Sequence, residues 1–88
     1  MRIPHIQRAI VQKMIRELDS VVLTIDLPEY HLQQGDVGTV VLDHQGQGYE
    51  VEFATLDGNT IAVVYVSADQ VRPIGKGEIA HVRAVEAA

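Results

Sequence analysis

The stretch Gln33-Gln34-Gly35-Asp36-Val37-Gly38-Thr39-Val40-Val41 constrains this chain more than any other. Gly35 supplies the positive φ that a tight turn often needs, and Gly38 permits a bulge or sharp bend where an L-residue would clash. Thr39, Val40 and Val41 follow as β-branched strand formers. A glycine turn feeding such a strand belongs in a small curved sheet. At 88 residues the chain allows one such domain, which buries only about 60% of its unfolded surface.

The other elements fall around that strand. Val21, Leu23 and Ile25 put one face on a first strand, about Val21 to Asp26, and Leu27 to Leu32 forms a loop because Pro28 cannot donate to a ladder. The second strand runs from about Val37 to Asp43, and Gln45-Gly46-Gln47-Gly48 is a turn. In the third, Tyr49 to Ala54, Tyr49, Val51 and Phe53 alternate with Glu50 and Glu52, which predicts apolar side chains inward and carboxylates outward. Asp57-Gly58 signals a hairpin. The unbroken apolar run Ile61 to Val66 predicts a fourth strand covered on both faces. Ser67-Ala68-Asp69-Gln70 suits a 3₁₀ turn, and Val71 to Ile74 a short last strand that Pro73 confines to an edge. The predicted core is Val21, Leu23, Ile25, Val37, Val40, Leu42, Val51, Phe53, Val64 and Val71.

At the N-terminus, Ile6, Ile10, Met14 and Leu18 recur every four residues behind Pro4, predicting a helix over residues 4–18. At the C-terminus, Ile79, Val82 and Val85 are spaced by three, predicting a short helix after a Gly75-Lys76-Gly77 hinge. The expected fold is mainly β: a five-stranded SH3-like barrel over residues 18–74, with an N-terminal helical extension, 1–17, and a C-terminal helical tail, 75–88.

Several motifs in order, Leu18-Asp19, Val21-Val22-Leu23-Thr24, Asp26-Leu27-Pro28-Glu29, Gly35-Asp36-Val37-Gly38-Thr39-Val40-Val41, Tyr49-Glu50-Val51-Glu52-Phe53 and Ala68-Asp69-x-Val71-Arg72-Pro73, resemble the bacterial domain-of-unknown-function family 4926. The resemblance covers about Met14 to Val85. It implies an SH3-like fold and carries no established activity, cofactor or catalytic residue. Because it begins near Met14, that methionine is an expected natural start. More distantly, the Gly-Asp-x-Gly-Thr-Val strand is similar to KOW-type nucleic-acid modules and to the barrel of nitrile hydratase β-subunits.

Charge narrows the function. Between Ser20 and Val71 lie Asp26, Glu29, Asp36, Asp43, Glu50, Glu52, Asp57 and Asp69, with no Lys or Arg; all seven basic residues lie outside. Such a domain repels polyanions, so nucleic acid is not an expected partner. With no secretory leader visible and an apolar run of at most six residues, a cytoplasmic setting without membrane contact is the default. Cysteine is absent, which removes disulfides and thiolate sites.

No catalytic, cofactor or metal site is expected. His5, His31, His44 and His81 show no ligand spacing. Gln45 to Gly48 lacks the ending of a phosphate loop, and Ser20 and Ser67 lack a nucleophile elbow. Glu50 and Glu52 share a face about 7 Å apart, but an outer sheet face offers no cleft to raise one pKa. With four Tyr and Phe in all and no Trp, a polyproline groove is not expected. The expected function is a protein-interaction module whose carboxylates Asp43, Glu50, Glu52 and Asp57 face a basic protein, such as the product of a neighbouring gene, or a second copy of the chain. A KOW-like ribosome-associated or nucleic-acid module is the alternative.

Overall fold

The computed structural model describes residues 14–85. Five antiparallel strands, β1 (Ser20–Leu23), β2 (Val37–Asp43), β3 (Gly48–Ala54), β4 (Thr60–Ser67) and β5 (Val71–Pro73), form one sheet in the order β4-β3-β2-β1-β5. Two 3₁₀ turns, Pro28–Tyr30 and Ala68–Gln70, lie where the chain leaves β1 and β4.

Each connection follows local chemistry. The long β1–β2 loop folds back on itself through a Leu27–Leu32 bridge, and Asp26 and Asp36 accept the Gln34 and Gln33 N–H groups at 2.8 Å. Gly35 sits there at φ +94°, as the turn requires. Between β2 and β3, Asp43 accepts the Gly46 N–H at 2.8 Å; between β3 and β4, Gly58 takes φ +101°. The turn before β5 is a capping box, with the Ser67 N–H donating to Gln70 Oε1 at 2.9 Å.

One cluster from all five strands forms the core: Val21, Leu23, Val40, Tyr49, Val51, Phe53, Val64, Val66 and Val71, with Leu32 entering from the loop. Gly38 is needed at this packing. A Cβ there would lie 2.5 Å from Val51 Cγ1 and 2.9 Å from the Glu52 carbonyl, whereas the β2 bulge falls later, between Val40 and Leu42. That bulge corrects the predicted core. It turns Leu42 opposite Glu50, onto the outer face, where it is exposed. Val37, paired with Val22, is exposed on that face as well, and Ile25 lies beyond the end of β1 and is exposed. Val22, Leu32 and Val66 are buried instead.

Four further expectations are corrected. The sheet is not closed into a barrel: β4 and β5 are its two edges. β5 is only three residues long and ends at Pro73, which has no N–H to extend a ladder. Residues 1–13 of the predicted N-terminal helix lie outside the described residues, and 14–18 are not helical. Leu18 has φ 73°, and the chain here bonds to β2, Leu18 N–H to the Val40 carbonyl at 2.7 Å and Val40 N–H to that of Asp19 at 2.9 Å. Residues 78–85 form no helix either; the Glu78 side chain is tied to Arg72 of β5 and that of Arg83 to Asp36 in the β1–β2 loop. Finally, β4 is covered on one face only, since Val63 and Tyr65 are exposed.

Candidate functional site

Two regions share the outer face of the sheet. On the first, Glu50 and Glu52 project from β3 two residues apart, hence on one side of the pleat. Their neighbours across the ladders are Leu42 and Thr39 on β2, and Tyr65 and Val63 on β4. Leu42, Val63 and Tyr65 are exposed, the last two by 53% and 58%. The partners of the two carboxylates are neutral or titratable groups: His44 Nε2 lies 2.9 Å from Glu50, and the Thr60 hydroxyl donates to Glu52 at 2.6 Å. The His44 ring meets that of Tyr65 edge to face at 5.3 Å, and Tyr65 lies across Gly48, where a Cβ would displace its ring.

Of the four carboxylates expected to act together, Glu50 and Glu52 are brought together and the other two are not. Asp43 pairs with Tyr49, so it belongs to the opposite face. Burial, and then the nearby Asp43 carboxylate, push the Tyr49 hydroxyl pKa up. Asp57 sits at the far end of β3, in the next turn, where it accepts the Thr55 hydroxyl at 2.5 Å. Asp43 and Asp57 thus hold turns.

The second region lies over β1 and β5, where the C-terminal segment Glu78–Val85 crosses as an extended strap. Arg72 projects outward from β5 and binds Glu78 with two nitrogens, at 2.8 and 2.6 Å. The Gly75 N–H also donates to Glu78. Further on, Arg83 forks onto Asp36, Nε to Oδ1 at 2.9 Å and Nη2 to Oδ2 at 2.5 Å, and Nη2 reaches the His31 carbonyl at 3.0 Å. Such two-pronged pairs fix orientation as well as adding energy. Burial would raise the Asp36 pKa, but the Arg83 hydrogen bonds and charge, with the Gln33 N–H, hold it below the ordinary value. The Arg72 fork and the Gly75 N–H pull Glu78 down to about 2. Between strap and sheet runs a groove of about 1010 Å³, lined by Val22 and Val37 of the outer face, by Leu56, Ile74 and Val82, and also by the core side chains Leu32 and Phe53, so that it reaches the core.

Sequence reasoning missed this strap. Asp36 and Arg83 are 47 residues apart, and nothing local links them. Glu78 lies six residues from Arg72 across a Gly-Lys-Gly turn, a spacing that does suggest a short ion-paired loop. Among the described residues no three His, Asp or Glu side chains gather as metal ligands, and no helix is long and apolar enough to cross a membrane.

The family model described as "Domain of unknown function (DUF4926)" matches residues 17–73, more than half of the chain, and the chain belongs to that family. The match ends before the strap. No curated protein and no solved structure matches the chain.

Proposed function

We propose that this member of the DUF4926 family is a non-enzymatic interaction module of the bacterial cytoplasm that presents the outer face of β2, β3 and β4 to a basic protein. One observation carries the reading. Glu50 and Glu52 stand side by side among the exposed Leu42, Val63 and Tyr65, with His44 and Thr60 as their partners. Exposed apolar and aromatic side chains gathered in one patch are the makings of a protein interface. The carboxylates steer a cationic partner and set its register more than they add raw affinity. The absence of Lys and Arg from Ser20 to Val71 argues against a nucleic-acid surface here.

The test is the double variant Glu50→Lys, Glu52→Lys in the full chain. Circular dichroism and light scattering are expected to show an unchanged fold and oligomeric state, while capture of a basic protein from the native host's lysate is lost. Undiminished capture by the variant rejects this face as the interface. A partner lost from wild type by nuclease treatment would instead favour the nucleic-acid alternative.

A further inference from the structure

The strap is held to the rest of the described residues mainly by side chains. Residues 78–85 form no helix or strand, and their one backbone hydrogen bond among the described residues is Glu78 N–H to the Gly75 carbonyl, inside their own turn. Beyond Glu78 the polar anchor is a side chain, Arg83, on Asp36 and the His31 carbonyl. Two of the strap's apolar side chains are left outside, Ile79 95% exposed and Val82 71%, while Val85 is half-buried. The groove beneath is apolar on its floor and open.

We propose that the strap is exchangeable: in a pair of chains, residues 79–85 of each copy cross the groove of the other, with Arg83 of one on Asp36 of its partner. Three observations carry this. The seat is recognised by side-chain charge complementarity, a guanidinium on a half-buried carboxylate, which is indifferent to which chain supplies the arginine. Glu78 stays on Arg72 and Gly75 of its own chain, and past it residues 79–82 make no backbone hydrogen bond among the described residues, so the path from Glu78 to Arg83 is free to change course. Ile79 and Val82, 95% and 71% exposed, do not pack the strap onto its own sheet, so little besides the Arg83 clasp holds it in its own chain. A reciprocal exchange is isologous and closes as a dimer. The connected strap competes with its own copy at an effective concentration in the millimolar range, so the wild-type chain is a monomer at micromolar concentration and pairs as millimolar is approached.

Two full-length single variants remove that competition. Asp36→Arg places two guanidiniums at the clasp, and Arg83→Asp places two carboxylates there, so neither chain latches its own strap or that of an identical copy. In a mixture, each seat meets the opposite charge from the other chain. The expected result is two monomers when separate and a 1:1 heterodimer when mixed, seen by native mass spectrometry at a concentration about tenfold or more below that at which wild type pairs. The chain carrying both substitutions is expected to behave as wild type. A mixture that stays monomeric, with both chains folded by circular dichroism, overturns the proposal. Should either variant fail to fold, Asp36→Lys with Arg83→Glu makes the same comparison with gentler changes.

Discussion

On the β1–β5 side of the outer face, Asp36 and Glu78 are each gripped by an arginine; on the β2–β3–β4 side, Glu50 and Glu52 have only a histidine and a threonine. Both halves belong to one sheet over one core, so fold does not explain the difference. The placement of cations does. Arg72 and Arg83 follow the acidic stretch in sequence, and the last strand and the strap return them to the side where β1 and the start of β2 lie. Charge segregation along the chain becomes segregation across a surface. One half uses its carboxylates to hold the chain together, and the other leaves them facing outward.

The largest expected effect tests whether the halves share one core. Phe53 is 2% exposed, belongs to the cluster spanning all five strands, and also lies under the groove. Phe53→Ala is expected to destabilise by about 3–5 kcal/mol, a large part of the stability of so small a domain. Chemical denaturation followed by amide exchange checks it. Loss of protection in β1 and β4 together is the expected outcome, and protection kept in one half alone would split the molecule into two units.

How much of this was legible in the sequence depends on the range of the interaction. Alternation in β3 placed Val51 and Phe53 inside and Glu50 and Glu52 outside, because period two follows from the pleat itself. The turns at Gly35, Gly46 and Gly58 were legible because positive φ favours glycine. Leu42 was misread because a bulge leaves no mark in composition yet reverses every side chain after it. Helix over 14–18 and over 78–85 was read from spacing alone, and spacing is blind to competitors. Leu18 bonds to Val40, and Glu78 and Arg83 find partners across the sheet. The Arg83–Asp36 contact, which defines the strap, has no local signal.

Removing that contact is expected to have a smaller effect. Arg83 and Asp36 are only 25% and 18% exposed, so Arg83→Ala leaves a largely covered carboxylate without its counter-ion. An expected loss of about 1–3 kcal/mol follows from the strength of charged hydrogen bonds and the cost of an unpaired charge. Urea denaturation measures it, and no change would show that the strap adds nothing to the closed half.

Acid sharpens the same contrast. Asp36 is held below 3.8 in the folded chain, and Glu78 is pulled from 4.5 to about 2. Both folded values lie under the unfolded ones, so the unfolded chain binds more protons in this range and stability rises with pH. The contribution of these pairs is therefore complete above about pH 4.5 and is lost as pH falls toward about 2. The Arg83→Ala variant is expected to show a shallower loss over that window, because the Asp36 part is already gone. A slope equal to that of wild type would mean that the pair does not drive the acid response.

The smallest effect belongs to the other half, and its smallness is the point. Glu50→Gln, Glu52→Gln removes two charges and keeps the shape of both side chains. Glutamine retains an acceptor oxygen for the Thr60 hydroxyl and a group able to pair with His44, so the local hydrogen bonds have replacements. No Lys or Arg among the described residues pairs with either carboxylate. Losing the charges removes no strong attraction, and relieves some repulsion between two acids on one strand face. Stability is expected to stay within about 0.5 kcal/mol of wild type at neutral pH, or to rise slightly. Thermal melts at low and high salt decide the matter. A small gain that fades with added salt is the signature of relieved repulsion, since screening weakens exposed like-charge pairs. A clear loss of stability would show that these acids are structural, like Asp36 and Glu78, and the division of the outer face into a clasped half and an open half would fall.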